Sequence, residues 1–202
     1  MSCSRACKRM TRLVYLHGFR SSSQGIKARA LAAALDALPV SERLSLWTPD
    51  LPHRPAAAIE TVVRRVEARD EPARTTFIGS SLGGYYATHL AERFGARAVL
   101  INPAIHPYDD LRAYRGVQVN MYSGETFEVG DAYFDELLQQ KVPRITRPER
   151  YLLLVETGDE VLDYREAVAY YEGALHTVVR GGDHTLVSFP EHVPDLVDWA
   201  LN

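Results

Sequence analysis

Six short apolar runs, alternating with segments of helical spacing, restrict what this chain can fold into more than any other feature. The runs lie in RLVYLHG (12–18), RLSLWTPDLP (43–52), TTFI (75–78), ARAVLINP (96–103), RYLLLVETGD (150–159) and LHTVVRGGDH (175–184). They are rich in β-branched, aromatic and leucine residues, the composition of buried strands. Between and after them come QGIKARALAAALDAL (24–38), AAAIETVVRRVEAR (56–69), the stretch from Leu82 to Phe94, DYREAVAYYEGA (163–174) and FPEHVPDLVDWALN (189–202). In these, apolar residues recur every three or four positions, as on one face of a helix. Nearly unbroken apolar strands separated by helices imply a mostly parallel sheet of about six strands with helices on both faces. The fold class is therefore α/β. Asp163 and Glu166 have the spacing of a capping box at the start of 163–174.

At 202 residues the chain fits one domain, expected over 12–202, with 1–11 as a disordered tail. Cys3 and Cys7 both fall in that tail and have no third or fourth ligand beside them, so a metal or a disulfide is not the expected reading. A net charge of −3, with arginines interleaved with acids, gives no reason to expect nucleic acid. The apolar runs are too short to span a bilayer, and no signal-peptide core follows the basic start. A cysteine-free body fits a reducing compartment, so the cytoplasm is the default. The exception to the alternation is 104–149, which is tyrosine-rich and irregular, and long enough to read as a lid or binding insertion.

The turn after the third strand carries chemistry. Gly79-Ser80-Ser81-Leu82-Gly83 matches G-x-S-x-G, with a strand before it and a helix after it. That context lifts a serine hydroxyl above a helix N-terminus, where an anionic intermediate is favoured. Ser81 is thus the candidate nucleophile, and Ser80 packs or bonds locally. A hydroxyl needs a base and an orienting acid, expected later in the chain in loops that follow strands. TGDEVLD offers Asp159, Glu160 and Asp163. Asp159 stands just beyond the strand end, and Asp163 has a sufficient role as a helix cap. Of seven histidines, His184 in RGGDHTL alone combines the right chain order with a glycine-rich loop. His89, His176 and His192 fall inside regular elements and read as packing or surface residues. The backbone N–H groups of Leu82 and of Phe19, in LHGFRSSSQG, are the candidate oxyanion donors, with His17 supporting that loop.

Together YLHGFRSSSQGIKA, GSSLGGYYATHLAERFG followed by INPAIHPYDDL, and TGDEVLDYREAVAYYEG with GGDH resemble the YqiA/YcfP-like family of small bacterial α/β-hydrolases. The resemblance implies the α/β-hydrolase fold and esterase-type activity, with Ser81, Asp159 and His184 on the family's catalytic positions. The expected function is a serine hydrolase acting on a small-molecule acyl ester or thioester through an acyl-enzyme, with no metal or organic cofactor. Alternatives are acyl-CoA thioesterase as the main activity, or a non-catalytic binding protein on the same fold. A homodimer is compatible with the helix surfaces of such a fold.

Overall fold

Strand-forming segments alternate with helices along the chain in the structure, a computed structural model describing residues 12–39, 44–68 and 71–201. In order they are β1 (Arg12–Leu16), α1 (Ile26–Asp36), β2 (Ser45–Trp47), α2 (Pro55–Glu67), β3 (Thr75–Ser80), α3 (Leu82–Phe94) and β4 (Arg97–Ile101). There follow α4 (Pro107–Asp110), β5 (Gly116–Val119), β6 (Thr126–Val129), α5 (Asp131–Gln139), β7 (Tyr151–Glu156), α6 (Tyr164–Tyr170), β8 (Leu175–Val179) and α7 (Phe189–Leu201). Six strands form one sheet in the order β2-β1-β3-β4-β7-β8, with every neighbouring pair parallel.

Successive strand side chains point to opposite faces, so each strand feeds two cores. Val14, Leu16, Phe77, Leu100 and Leu153 pack on one side against Val62, Leu90, Leu137 and Tyr171 of the helix layer. Leu13, Tyr15, Ile78, Val99 and Leu152 pack on the other against Leu31 and Leu35 of α1 and Val193 and Leu196 of α7. This double burial is why the strands read as continuous apolar runs.

β2 occupies three residues of 43–52 at a sheet edge and is cut off, as expected, ahead of Pro49 and Pro52, which have no N–H groups to donate. The last strand stops at Val179 and leaves RGGDHTL in the loop that follows, also as expected. The helix in 163–174 is shorter than its sequence pattern and ends at Tyr170. Asp163 does cap α6, accepting from the Arg165 N–H at 3.0 Å. The larger difference is 104–149, which is regular: β5 and β6 form an antiparallel hairpin and α5 packs into the core through Tyr133, Phe134 and Leu137. Each hairpin strand has four residues and lies largely at the surface, too short for alternation to register. The hairpin turn is bonded to the loop after β1: Arg20 Nε donates to Val119 O, Met121 N to Arg20 O and Asn120 Nδ2 to Ser21 O.

No helix among the described residues is long and apolar enough to cross a membrane. Cys3, Cys7 and the tail at 1–11 lie outside the described residues.

Candidate active site

The serine at the β3–α3 junction sits in a backbone conformation that side chains rarely adopt. Ser81 has φ +54° and ψ −122°, a geometry that costs about 1–3 kcal/mol and persists only where its surroundings enforce it. They do so here. Ser81 N donates to Ile101 O at 3.0 Å, while Ser81 O accepts from Gly84 N at 2.8 Å and Ala104 N at 3.1 Å. The flanking glycines admit the turn: a β-carbon on Gly79 would lie 2.1 Å from Gly83 O, and one on Gly83 would lie 2.0 Å from Leu16 O. The G-x-S-x-G spacing is thus a packing requirement between the elbow and β1.

Two later loops reach the same point. His184 Nε2 lies 3.1 Å from Ser81 Oγ, and its Nδ1 lies 2.8 Å from Asp159 Oδ2. With Asp159 ionised, Nδ1 carries the proton and Nε2 is free to accept one from Ser81. Asp159 is itself fixed, since Oδ1 accepts from the Val161 and Leu162 N–H groups, both at 2.8 Å. Burial raises the Asp159 pKa, but the hydrogen bonds from His184 and from these N–H groups outweigh it and hold the carboxyl below its usual range. A carboxyl whose folded pKa is depressed adds stability above its unfolded pKa of about 3.9, and that stability is lost as pH falls through the folded value. Asp159→Asn is therefore expected to flatten the fall in urea midpoint between about pH 5 and about pH 3. A slope as steep as in the wild type would assign that fall to other carboxylates.

The loop after β1 runs alongside. A β-carbon on Gly18 would lie 3.2 Å from Ser81 Cβ, so Phe19 follows directly beside Ser81. Among the described residues neither the Phe19 nor the Leu82 N–H donates to a protein acceptor. His17 holds this loop: Nδ1–H donates to Gly18 O and Nε2 accepts from Leu51 N, each at 3.0 Å. Burial lowers its pKa, and both nitrogens are committed to structural bonds. His89 and His176 likewise bond the Gln140 and Tyr171 carbonyls. Among the described residues no group of three or more His, Cys, Asp or Glu side chains is arranged to hold a metal ion.

Two positions that sequence reasoning missed support the histidine loop. Asn102 Nδ2 donates to Asp183 O and His184 O at 3.1 and 3.3 Å, while its Oδ1 accepts from Glu156 N. Glu156, 1% exposed, accepts from Asp183 N at 2.8 Å and from Ser188 Oγ at 2.6 Å. The only sequence signal was a carboxylate and an amide at the ends of otherwise apolar strands. Glu156→Leu removes both acceptors, leaves the Asp183 N–H and the Ser188 hydroxyl without their partner, and shifts the loop. The expected result is a fall in kcat on the order of 10- to 100-fold, read by steady-state kinetics. An unchanged kcat would show that the loop is held without Glu156.

Beside Ser81 and His184 opens a cleft of about 260 Å³, lined also by Phe19, Lys27, Met121 and Tyr122. The aromatic residues of the insertion divide between roles. Tyr133 and Phe134 are core, Phe127 and Tyr133 meet Phe19 edge to face, and Tyr122 borders the cleft.

Residues 12–201 match the family described as "Uncharacterised protein family (UPF0227)". A UPF0227 protein of Shewanella baltica strain OS195 is 30% identical over 101 residues, which are 50% of this chain and 55% of that relative. The chain thus spans about half the length of the curated relatives it matches. Among solved structures, the esterase domain of a Rhodothermus marinus protein has TM-score 0.68 at 21% identity, covering 95% of this chain and 86% of that one. A monoacylglycerol lipase of Paleococcus ferrophilus has TM-score 0.67 at 16% identity, covering 94% and 93%. At such identities the likeness speaks to the fold, which is that of the α/β-hydrolases. The match along residues 12–201 settles the lineage: the chain belongs to the UPF0227 family.

Proposed function

We propose that this protein is a serine hydrolase that cleaves carboxylic esters or thioesters through an acyl-enzyme formed on Ser81. One observation carries the reading: the unbroken hydrogen-bonded row from Ser81 Oγ through His184 to Asp159, with the serine held at positive φ. A serine held in this strained turn and aligned with a histidine and a carboxylate is the arrangement that an activated nucleophile needs.

In this reading Ser81 Oγ attacks the substrate carbonyl carbon as its proton passes to His184 Nε2. Asp159 keeps the ring oriented and stabilises the imidazolium. The carbonyl oxygen becomes an oxyanion and accepts from the unpaired N–H groups of Phe19 and Leu82, each such donor being worth about 3 kcal/mol in the transition state. Collapse expels the alcohol or thiol, which takes the proton from Nε2 and leaves an ester on Ser81. Water then attacks that ester with His184 as base, releasing the acid and restoring the serine hydroxyl. Within 104–149 the hairpin turn contributes Met121 and Tyr122 to the cleft wall, held there by the three bonds between the hairpin and the loop after β1.

The test is hydrolysis of p-nitrophenyl esters and of S-acyl pantetheine thioesters of graded chain length by wild type and His184→Ala. Wild-type turnover that falls by about 10⁴-fold in the variant is expected. A wild type inert toward every ester and thioester would defeat the proposal.

A further inference from the structure

The cleft beside Ser81 carries a cation that has no bonded partner among the described residues. Lys27, in the first turn of α1, lines it together with Arg20, and among the described residues lining it there is no carboxylate. This is a local reversal in a chain whose acids outnumber its bases, 26 to 23. Lys27 has no hydrogen bond or ion pair to any described residue. Arg20 uses Nε to donate to Val119 O, which ties its side chain to the hairpin and leaves its other N–H groups without an acceptor among the described residues. Helix α1 begins at Gly25 with no side-chain cap, so its positive end faces the same space.

An ammonium taken out of water without a counter-ion is costly, and folded proteins resolve that cost with a partner. Among the described residues the carboxylates that act on it, Asp159, Asp183 and Glu156, already accept other hydrogen bonds, Asp183 from Leu186 N. Asp159 is bonded by His184 and two N–H groups, and Glu156 by Asp183 N and Ser188 Oγ. Burial pushes the Lys27 pKa down to about 8, against the longer-range pull of Asp159, Asp183 and Glu156, so the group is charged at neutral pH.

We propose that Lys27 and Arg20 form an anion subsite, and that the substrates are esters or thioesters bearing a carboxylate or phosphate within reach of the cleft. The inference rests on Ser81 being the nucleophile, because that places the scissile carbonyl beside the subsite. Carboxylate and phosphate share the chemistry that two cations and an open helix start recognise. The source of the anion is left to the assay.

The experiment compares kcat/KM within two matched pairs: p-nitrophenyl hemiglutarate against p-nitrophenyl valerate, and S-butyryl 4′-phosphopantetheine against S-butyryl pantetheine. In wild type, at least one pair is expected to favour the anion by about tenfold or more, the factor that 1.4 kcal/mol of binding represents. In Lys27→Gln that ratio falls toward one, chiefly through KM of the anionic substrate, and Lys27→Arg retains most of it. If Lys27 only balanced Asp159, Asp183 and Glu156, the ratio in Lys27→Gln would equal that in wild type, which overturns the proposal. So does a wild-type ratio near one in both pairs, a measurement that requires no variant to fold. In that case turnover of the neutral esters that is lost in Ser81→Ala leaves the nucleophile standing. Inertness toward all four substrates removes both readings.

Discussion

Ser81→Ala is expected to lower ester or thioester turnover by at least about 10⁴-fold while leaving the sheet and its two cores in place. The hydroxyl is the only group removed, and among the described residues its one bond is to His184 Nε2. The bonds that hold the elbow run through the backbone of Ser81, to Ile101, Gly84 and Ala104, and survive the change. A second variant separates chemistry from strain. Ser81→Gly also lacks the hydroxyl, but glycine adopts φ +54° with less strain than alanine. It is expected to be more stable than Ser81→Ala by about 1 kcal/mol, a shift of about 2–4 °C in melting temperature for a chain of this size. Equal inactivity with unequal stability would show that the elbow stores strain for the sake of the hydroxyl. Retained turnover in both variants would place the nucleophile elsewhere.

The largest effect on stability is expected from Gly83→Ala. The added β-carbon would lie 2.0 Å from Leu16 O and 2.8 Å from His17 O. Both are backbone atoms at the end of β1, so no side chain can turn aside to make room. Either α3 must withdraw, taking Ser81 with it, or β1 must, taking the Phe19 loop. Overpacking of this kind costs about 3–5 kcal/mol, a large share of the roughly 5–15 kcal/mol that holds a domain together. A fall of about 10 °C or more in melting temperature follows, with loss of turnover in the fraction that folds. Gly130→Ala is the control. The nearest atom to its new β-carbon is Glu128 Oε1 at 3.9 Å, and a change within about 1 kcal/mol is expected at this helix cap. A Gly83→Ala protein as stable as that control would mean that the elbow and β1 are not in close contact.

What could be read from the sequence depended on whether a position is fixed by local pattern or by distant neighbours. The parallel sheet was legible because burial on both faces makes 13–16, 77–78, 98–101 and 151–155 unbroken apolar runs within β1, β3, β4 and β7. The elbow was legible because Gly79 and Gly83 answer backbone contacts, with Gly83 and with Leu16 respectively, that leave no room for a side chain. Asp159 and His184 stood out by chain order and loop composition, and they meet Ser81 in one hydrogen-bonded row. Asn102 and Glu156 were not legible. Each sits at the end of an apolar strand, and its importance lies in what β4 and β7 bring beside it across the sheet. The β5–β6 hairpin was missed for a related reason. Its anchors are bonds to Arg20 and Ser21, about a hundred residues earlier in the chain, with little apolar patterning of its own. Lys27 looked like one polar residue in an alanine-rich helix until the fold set it at the wall of the cleft.

The most direct test of Ser81 as an activated nucleophile is covalent capture. The protein is treated with a fluorophosphonate, and its intact mass and digested peptides are then measured. A single adduct is expected on Ser81, forming rapidly in wild type and at least about 10³-fold more slowly in His184→Ala, because the serine loses its base. An adduct on another residue, or no adduct in wild type under conditions that label known serine hydrolases, would contradict the assignment.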